Sequence, residues 1–566
     1  MATGQVPRYT DPVYQAAHDD TFRTPIFEEI AAVLPPGVTR EDFDGALNEI
    51  AATLGGHAVY KGEKLREYVD PYEIPEHGHE RNIPGAAVCP SSVEELQAAL
   101  KVVNQYKIPI WTVSRGKNLG YGGPAPVVNG SIVMDLHRMN QVLEVNEKSA
   151  YAVVEPGVTF GDLYAYCAKN QLKVWPSTAS LGWGSVVGNT LDRGMGFIPS
   201  GIHHENMAGL EVVLANGDVV RTGQFAMTTS PSAHLTHLSF GPSIDGLFLQ
   251  SNLGIVTKLG LHLTPQPQAM MACTFDMPDI DDIETIVDVF GAMRRDGTLP
   301  SLVYCFSIVE WSSIFAPRHK YWDGEGPIPD WRLKEIQKEL DTGFWTVKWG
   351  LYGPKNILQA QYDEIQRILS KSAPLGRLRN LIFAGGEAGQ LLEATSVPDP
   401  YGGMFVGVPS MFSIPMVNYY NQRDGGGIGA HGAYSPIVPL EGKIVKDWVK
   451  AARQVYESQG LDLLCDFFIN HRHAVSVCML CFDKTNPKQR QAIAKTFDGL
   501  FEEGKKRGFA KYRSHINHMD QVAELFDFNN HAYRRFVETI KDALDPNGVL
   551  SPGKMGIWPR RFREQE

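Results

Sequence analysis

Long apolar runs are missing from this 566-residue chain. No stretch approaches the length that a membrane-spanning helix needs, so a membrane protein is not expected. Blocks of basic residues are missing as well, and the net charge is −11, which argues against nucleic acid and anionic membrane as partners. Cysteine is scarce: there are seven, an odd number thinly spread, which suits a reducing compartment. Cys478 and Cys481 make a lone CxxC inside the apolar run AVSVCMLCF. A strand puts them on opposite faces, so they read as buried thiols and not as a metal or redox pair. The opening MATGQVPRYTDPVYQ lacks the basic start and apolar core of a secretory signal, and the closing REQE is no lipidation or peroxisomal signal. The expected location is cytoplasmic.

Glycine, by contrast, is plentiful, with 55 residues. Residues 91–113, SSVEELQAALKVVNQYKIPIWTV, read as a capped amphipathic helix followed by a short buried strand. That strand runs into SRGKNLGYGGPAP, where the glycines suit sharp turns and close approach. SIVMDL, QVLEV and YAVVEP follow as strands, and LEVVLANGDVVRT reads as a hairpin with Asn216-Gly217 at its tip. The chain up to about 265 is therefore strand-rich with a few helices, an α+β pattern. From about 270 the texture changes to longer helices and strands, which predicts a second domain. Residues 1–60 read as a helical lead-in.

Several segments are candidates for chemistry. The small residues of SRGKNLGYGG suit backbone N–H groups aimed at a phosphate, although an ordinary glycine-rich turn reads the same way. STASLGWGSVVGNTLDRGMGF has the same character, and two such segments point to a dinucleotide cradle. GIGAHG (427–432) matches the GxGxxG spacing but has no strand before it and prolines where a helix should follow, so it is no Rossmann site. His431 within it reads, taken alone, as a structural histidine. His471 and His473, in NHRHAV, read as strand residues lining a pocket and not as metal ligands. No metal site is expected.

Eight segments in order carry a resemblance: GKNLGYGGPAP, VVEPGVTFGDL, GSVVGNTLDRG, LEVVLANGDVVRTG, GPSIDGLFLQSNLGIVTKLG, GAHGAYSP, KYRSHINHMDQ and DPNGVLSPGKMGIWP. Together they resemble the vanillyl-alcohol oxidase/p-cresol methylhydroxylase family of flavoproteins. The resemblance implies an α+β, two-domain fold. Residues 1–268 and 511–566 would form a split FAD-binding domain, and 269–510 an α+β cap over the substrate. It also implies that FAD is held by Ser114, Arg115, Gly116, Lys117, Asn118, Gly120, Gly122, Ser185, Gly188, Asn189 and Lys554. His431 is expected to be joined to the flavin 8α-methyl. Tyr434 is the nearby alternative, set aside on the spacing of GAH to SP.

Tyr121, Tyr512 and Arg513 match the family's phenolate-binding trio. Alone, KYRSH would read as a solvated charged turn. The implied reaction is oxidation of a para-substituted phenol by hydride transfer to FAD through a p-quinone methide, with O2 reduced to H2O2. The alternatives are a cytochrome-coupled dehydrogenase or methylhydroxylase, and a flavin-binding protein without turnover. A homodimer is implied by resemblance alone.

Two departures stand out. Ser180 occupies a position where one branch carries a catalytic Asp, and Asp466 is expected to take the base role, the other reading being a structural acid. A histidine that would activate the flavin-linking residue is out of register: His77 and His79 lie nearby and Tyr72 takes the aligned place. Trp183 is expected to narrow the pocket.

Overall fold

The structure, a computed structural model, describes residues 33–72, 82–387, 389–398, 403–411, 413–421 and 428–564. His77 and His79 lie outside the described residues. Of the expected lead-in, the described part holds one α-helix, Arg40–Leu54, capped by Thr39. The helix Val93–Gln105 starts where the sequence places its cap: Ser92 Oγ accepts from the Glu95 N–H at 3.2 Å, and the Glu95 carboxylate accepts from the Ser91 N–H at 2.7 Å.

The first sheet holds β1 (Val59–Tyr60), β2 (Ala86–Val88), β3 (Ile110–Val113) and β4 (Ile132–Asp135), in the order β1-β2-β4-β3. Strands β2, β4 and β3 run parallel, which the intervening helix permits. The second sheet is antiparallel. It contains β5 (Val142–Asn146), β6 (Tyr151–Val154), β8 (Met207–Val213), β9 (Val219–Arg221) and β10 (Ile255–His262), in the order β5-β6-β10-β8-β9. Its β8–β9 hairpin turns at Gly217, whose φ of 87° suits glycine. A two-stranded ribbon joins β7 (Val174–Trp175) to β11 (Thr264–Pro265).

The third sheet is larger and antiparallel. Its strands are β12 (Ala269–Met277), β13 (Val303–Ser307), β14 (Trp345–Gly353), β15 (Arg377–Ala384), β16 (Gly429–Tyr434), β17 (Ile437–Pro439), β18 (Cys465–Ile469) and β19 (His473–Asp483). The order is β15-β12-β14-β13-β18-β19-β16, and β17 also pairs with β19. Its register decides where the chemistry sits. His431 lies opposite Cys481, Asp466 opposite Val477 and Phe306, and Tyr304 opposite Phe468 and Lys348. Opposite residues share a face and side chains alternate along a strand. His431, Asp466, Tyr304 and Lys348 therefore all project from one face. The other face is covered by helices: Trp448 of Gly442–Ser458 donates its indole N–H to Ser476 Oγ at 2.9 Å, and Tyr456 donates to the Met479 carbonyl at 2.7 Å. All seven cysteines are free and buried, and Cys478 and Cys481 take opposite faces of β19.

The C-terminal segment returns to the first two sheets. Val549 and Ser551 exchange backbone hydrogen bonds with Ile110 of β3, both 2.8 Å long. Lys541 is fully buried, 2.7 Å from Asp545, and donates to the carbonyls of Asn252 (2.8 Å) and Leu550 (2.7 Å). Asp545 in turn accepts from the N–H groups of Val549 and Leu550. Replacing Lys541 by Met leaves a buried carboxylate without its cation, and such a loss costs about 3–5 kcal/mol. The expected outcome is a thermal midpoint lowered by many degrees, measurable by circular dichroism; an unchanged midpoint refutes this pairing.

Candidate active site

The segment after β3 turns on four glycines with positive φ: Gly116 (63°), Gly120 (79°), Gly122 (103°) and Gly123 (57°). Two of them are fixed by contact as well. A Cβ on Gly120 would stand 3.0 Å from His431 Nε2, and one on Gly122 would stand 2.7 Å from Ile516. The loop is thus clasped between the large sheet and the KYRSHI segment, with Tyr121 at its centre. The Ile516 N–H donates to the Tyr121 carbonyl at 3.3 Å, and the Tyr512 N–H donates to the Ser435 carbonyl just beyond β16 at 3.1 Å.

These ties bring Tyr121, Tyr512 and Arg513 together. The Arg513 guanidinium carbon lies 5.3 Å from the ring centres of both tyrosines, within cation–π range. Its Nε and Nη2 donate to the Asp192 carbonyl at 3.0 and 2.7 Å, and Nε also lies 3.0 Å from the Asp192 carboxylate. Burial opposes the Arg513 charge, but Tyr512, Asp192 and Tyr121 more than offset it and hold the group above its ordinary value. Burial pushes the Tyr121 phenol well above its usual range, so it stays a hydrogen-bond donor. KYRSH is no solvated turn: Lys511, Ser514 and His515 are buried too.

A deep cavity opens beside this trio. Ser114, Arg115, Gly116, Lys117 and Asn118 line one wall, and Ser185, Gly188 and Asn189 another. The two walls touch where a Cβ on Gly188 would meet Ser114 Oγ. Lys554, from the C-terminal return, also lines it, and burial lowers its ammonium while Asp192 opposes that effect. Of the twelve residues expected to hold the cofactor, nine line this cavity. Gly120, Gly122 and His431 do not; the two glycines serve the packing just described. A donor-rich cleft lined by Arg115, Lys117, Arg513 and Lys554 suits a dinucleotide diphosphate and an electron-rich ring, so these residues fit FAD.

His431 is held edge-on by Tyr72, with ring centres 5.1 Å apart. Burial pulls its pKa down to about 4, so the imidazole is neutral. Its Nδ1 is buried without a hydrogen-bond partner among the described residues. Beside it His515 Nε2 pairs with Asp70 at 3.0 Å, a contact with no mark in the sequence. Tyr434 points elsewhere, into a cluster with Trp448, Phe497 and Phe501.

A second cavity lies against the same sheet face, lined by Ser180, Phe197, Tyr304 and Glu310 among others. Tyr304 donates to Asp466 Oδ2 at 3.0 Å and lies 3.1 Å from Glu310 Oε1. Burial, then the neighbouring Glu310, raises the Asp466 carboxyl well above its ordinary value. Burial pushes Glu310 up to about 6. Asp466 Oδ1 and Glu310 Oε2 lack donors among the described residues, which favours a proton held between the two acids. Glu310, on the helix Ile308–Phe315, and Tyr304, on β13, were missed because both segments look like ordinary core. Trp183 lines neither cavity; it packs in the core with Tyr72 and Leu119, and the Lys117 ammonium lies 5.8 Å from its ring centre. His471 and His473 line neither cavity either.

Fold and site define a flavin-dependent oxidoreductase. A family profile described as FAD binding domain matches residues 84–223, and one described as FAD linked oxidases, C-terminal domain matches 418–555. The flavoprotein subunit of 4-cresol dehydrogenase (hydroxylating) from Pseudomonas putida is 35% identical over 537 residues, spanning 94% of this chain and 98% of that one. A solved 4-ethylphenol oxidase from Gulosibacter chungangensis, in complex with isoeugenol, is 34% identical with a TM-score of 0.86, covering 94% of this chain and 100% of that one. A p-cresol methylhydroxylase structure with substrate bound is 33% identical with a TM-score of 0.86, covering 93% and 99%. The chain belongs to the vanillyl-alcohol oxidase/p-cresol methylhydroxylase family, with an FAD-binding domain and a cap domain. Among the described residues no helix is long and apolar enough to cross a membrane.

A raised acid binds its proton more tightly folded than unfolded. Its stabilising contribution is present below the ordinary value of 4.5 and fades as pH rises through about 6. Melting curves between pH 4.5 and 7 should therefore show a downward slope that Glu310→Gln makes shallower. Parallel slopes in the two proteins would contradict the raised carboxyl.

Proposed function

We propose that this chain oxidises para-substituted phenols, namely 4-alkylphenols, 4-allylphenols and 4-hydroxybenzylic alcohols, with O2 as electron acceptor and H2O2 as product. The observation that carries this reading is the buried Arg513 cation 5.3 Å from two tyrosine rings. The similarity to proteins named for 4-cresol and 4-ethylphenol supports it.

A free phenol has a pKa of about 10, so ionising it at pH 7 needs about 4 kcal/mol of differential stabilisation. Arg513 supplies a permanent charge, and the hydroxyls of Tyr121 and Tyr512 donate to the phenolate oxygen. The phenolate pushes charge through the ring and loosens the benzylic hydride. FAD, when bound, supplies the hydride acceptor. The substrate is left as a p-quinone methide. Asp466 then takes the proton from water adding at the benzylic carbon, or from the adjacent carbon to give an alkene. Glu310 and Tyr304 position it, and Ser180 in the same cavity leaves this role to Asp466. His431, neutral and with an unfilled ring nitrogen, is the residue to which flavin is covalently attached. The working unit is a homodimer located in the cytoplasm.

A second reading follows from the Pseudomonas putida relative, which is named as a flavoprotein subunit. In it the electrons leave to a cytochrome partner and not to O2.

With 4-ethylphenol in air, the purified protein should produce peroxide without added acceptor; turnover only with an artificial acceptor favours the second reading. Arg513→Met should lower kcat/KM by about a hundredfold or more, the scale of losing about 3 kcal/mol at the transition state. Asp466→Asn should slow turnover or hydration sharply. Equal rates for 4-ethylphenol and its O-methyl ether would refute phenolate binding. Acid-precipitated protein should stay yellow, and His431→Ala should lose that colour.

A further inference from the structure

On the sheet face that carries Asp466 stands a residue with no part in the phenol reaction. Lys348 projects from β14 on the same face as Asp466, opposite Tyr304. It lines the second cavity together with Ser180, Tyr304, Phe306, Glu310 and Trp311. Its ammonium lies 4.1 Å from the Trp311 ring centre and 5.5 Å from that of Phe306, which stacks on Trp311. Lys348 makes no hydrogen bond or ion pair with a described residue. The acid in electrostatic reach, Asp276, is already engaged: Arg377, Arg379 and Thr346 all donate to it. A cation held against aromatic faces in a cavity, without an anion of its own, is a site prepared for one.

We propose that Lys348 recognises a carboxylate at the end of the substrate's para side chain, so that the preferred substrates are 4-hydroxyphenylalkanoates. This rests on the phenol-oxidation reading, because it needs the ring anchored at Arg513 and the benzylic carbon beside Asp466. The geometry fits a side chain running across the strands. Asp466 neighbours β13, and Lys348 stands one strand further on, so the two backbones are about 10 Å apart at the usual strand spacing of about 4.8 Å. Tyr304 and Phe306 stand on β13 between the two, so an acyl chain would cross over their rings. Trp311 and Phe306 provide apolar walls for its methylenes. One lone ammonium matches one negative charge, which selects a carboxylate over a phosphate dianion. Burial lowers the Lys348 pKa to about 8, which leaves it mainly protonated at neutral pH. The proton shared by Asp466 and Glu310 removes one of the two negative charges that would otherwise repel the incoming acid.

The test compares three substrates of similar shape: 3-(4-hydroxyphenyl)propanoate, its primary amide and 4-propylphenol. Each is used with the native holoenzyme, Lys348→Met and Lys348→Arg, with flavin absorbance reporting that each variant is folded and loaded. The expected result is a native kcat/KM higher for the acid than for the amide. The acid-to-amide ratio should fall about tenfold or more in Lys348→Met and recover in Lys348→Arg. If 4-propylphenol is oxidised but the ratio is the same in native and Met forms, the lysine assignment is overturned and phenol oxidation stands. If 4-propylphenol is not oxidised by the native holoenzyme, both readings fall.

Discussion

The arrangement depends on a cation kept where water is scarce. The Arg513 side chain is only 11% exposed, and a guanidinium in such a place must have its hydrogen bonds filled. Asp192 takes those of Nε and Nη2 with its carbonyl and its carboxylate. That leaves the cation's field directed at the space between Tyr121 and Tyr512. Asp192 caps the helix Val186–Leu191 within the second glycine-rich segment. The residue that fixes the charge thus belongs to the same stretch of chain that shapes the cofactor cleft, and charge and cofactor are positioned by one piece of backbone.

The large sheet solves a different problem. It must bring groups from far apart in sequence to one surface without letting them slip. Antiparallel register does so, since a shift of one residue would turn His431, Asp466, Tyr304 and Lys348 into the helical layer. The helices behind, with Trp448 and Tyr456 bonded to β19, hold that register. The two acids and their tyrosine therefore sit in an apolar setting that raises their proton affinity, which an exposed pair would not show.

Much of this was legible in the sequence. Turn glycines, capping serines and strand alternation marked the elements around 91–222, because each is a local effect. Tyr121, Tyr512, Arg513 and the residues lining the cleft were recognisable because their segments keep a distinctive order. Glu310 and Lys348 were not, since one acid on IVEW and one lysine on VKWG look like any charged residue near a core. Their neighbours come only from the pairing of β13 with β14 and β18 and from the helix Ile308–Phe315 that follows β13. The Asp70–His515 contact spans most of the chain and leaves no local mark.

The return of the C-terminal segment to β3 has a consequence for how the protein is made. Part of the cleft's lining, Ser551 and Lys554, is translated about 440 residues after its first wall at Ser114. A nascent chain on the ribosome holds only an open trough until those last turns emerge. Closure of the cleft must therefore wait until Ser551 and Lys554 have been made, and a product truncated before them would lack that wall.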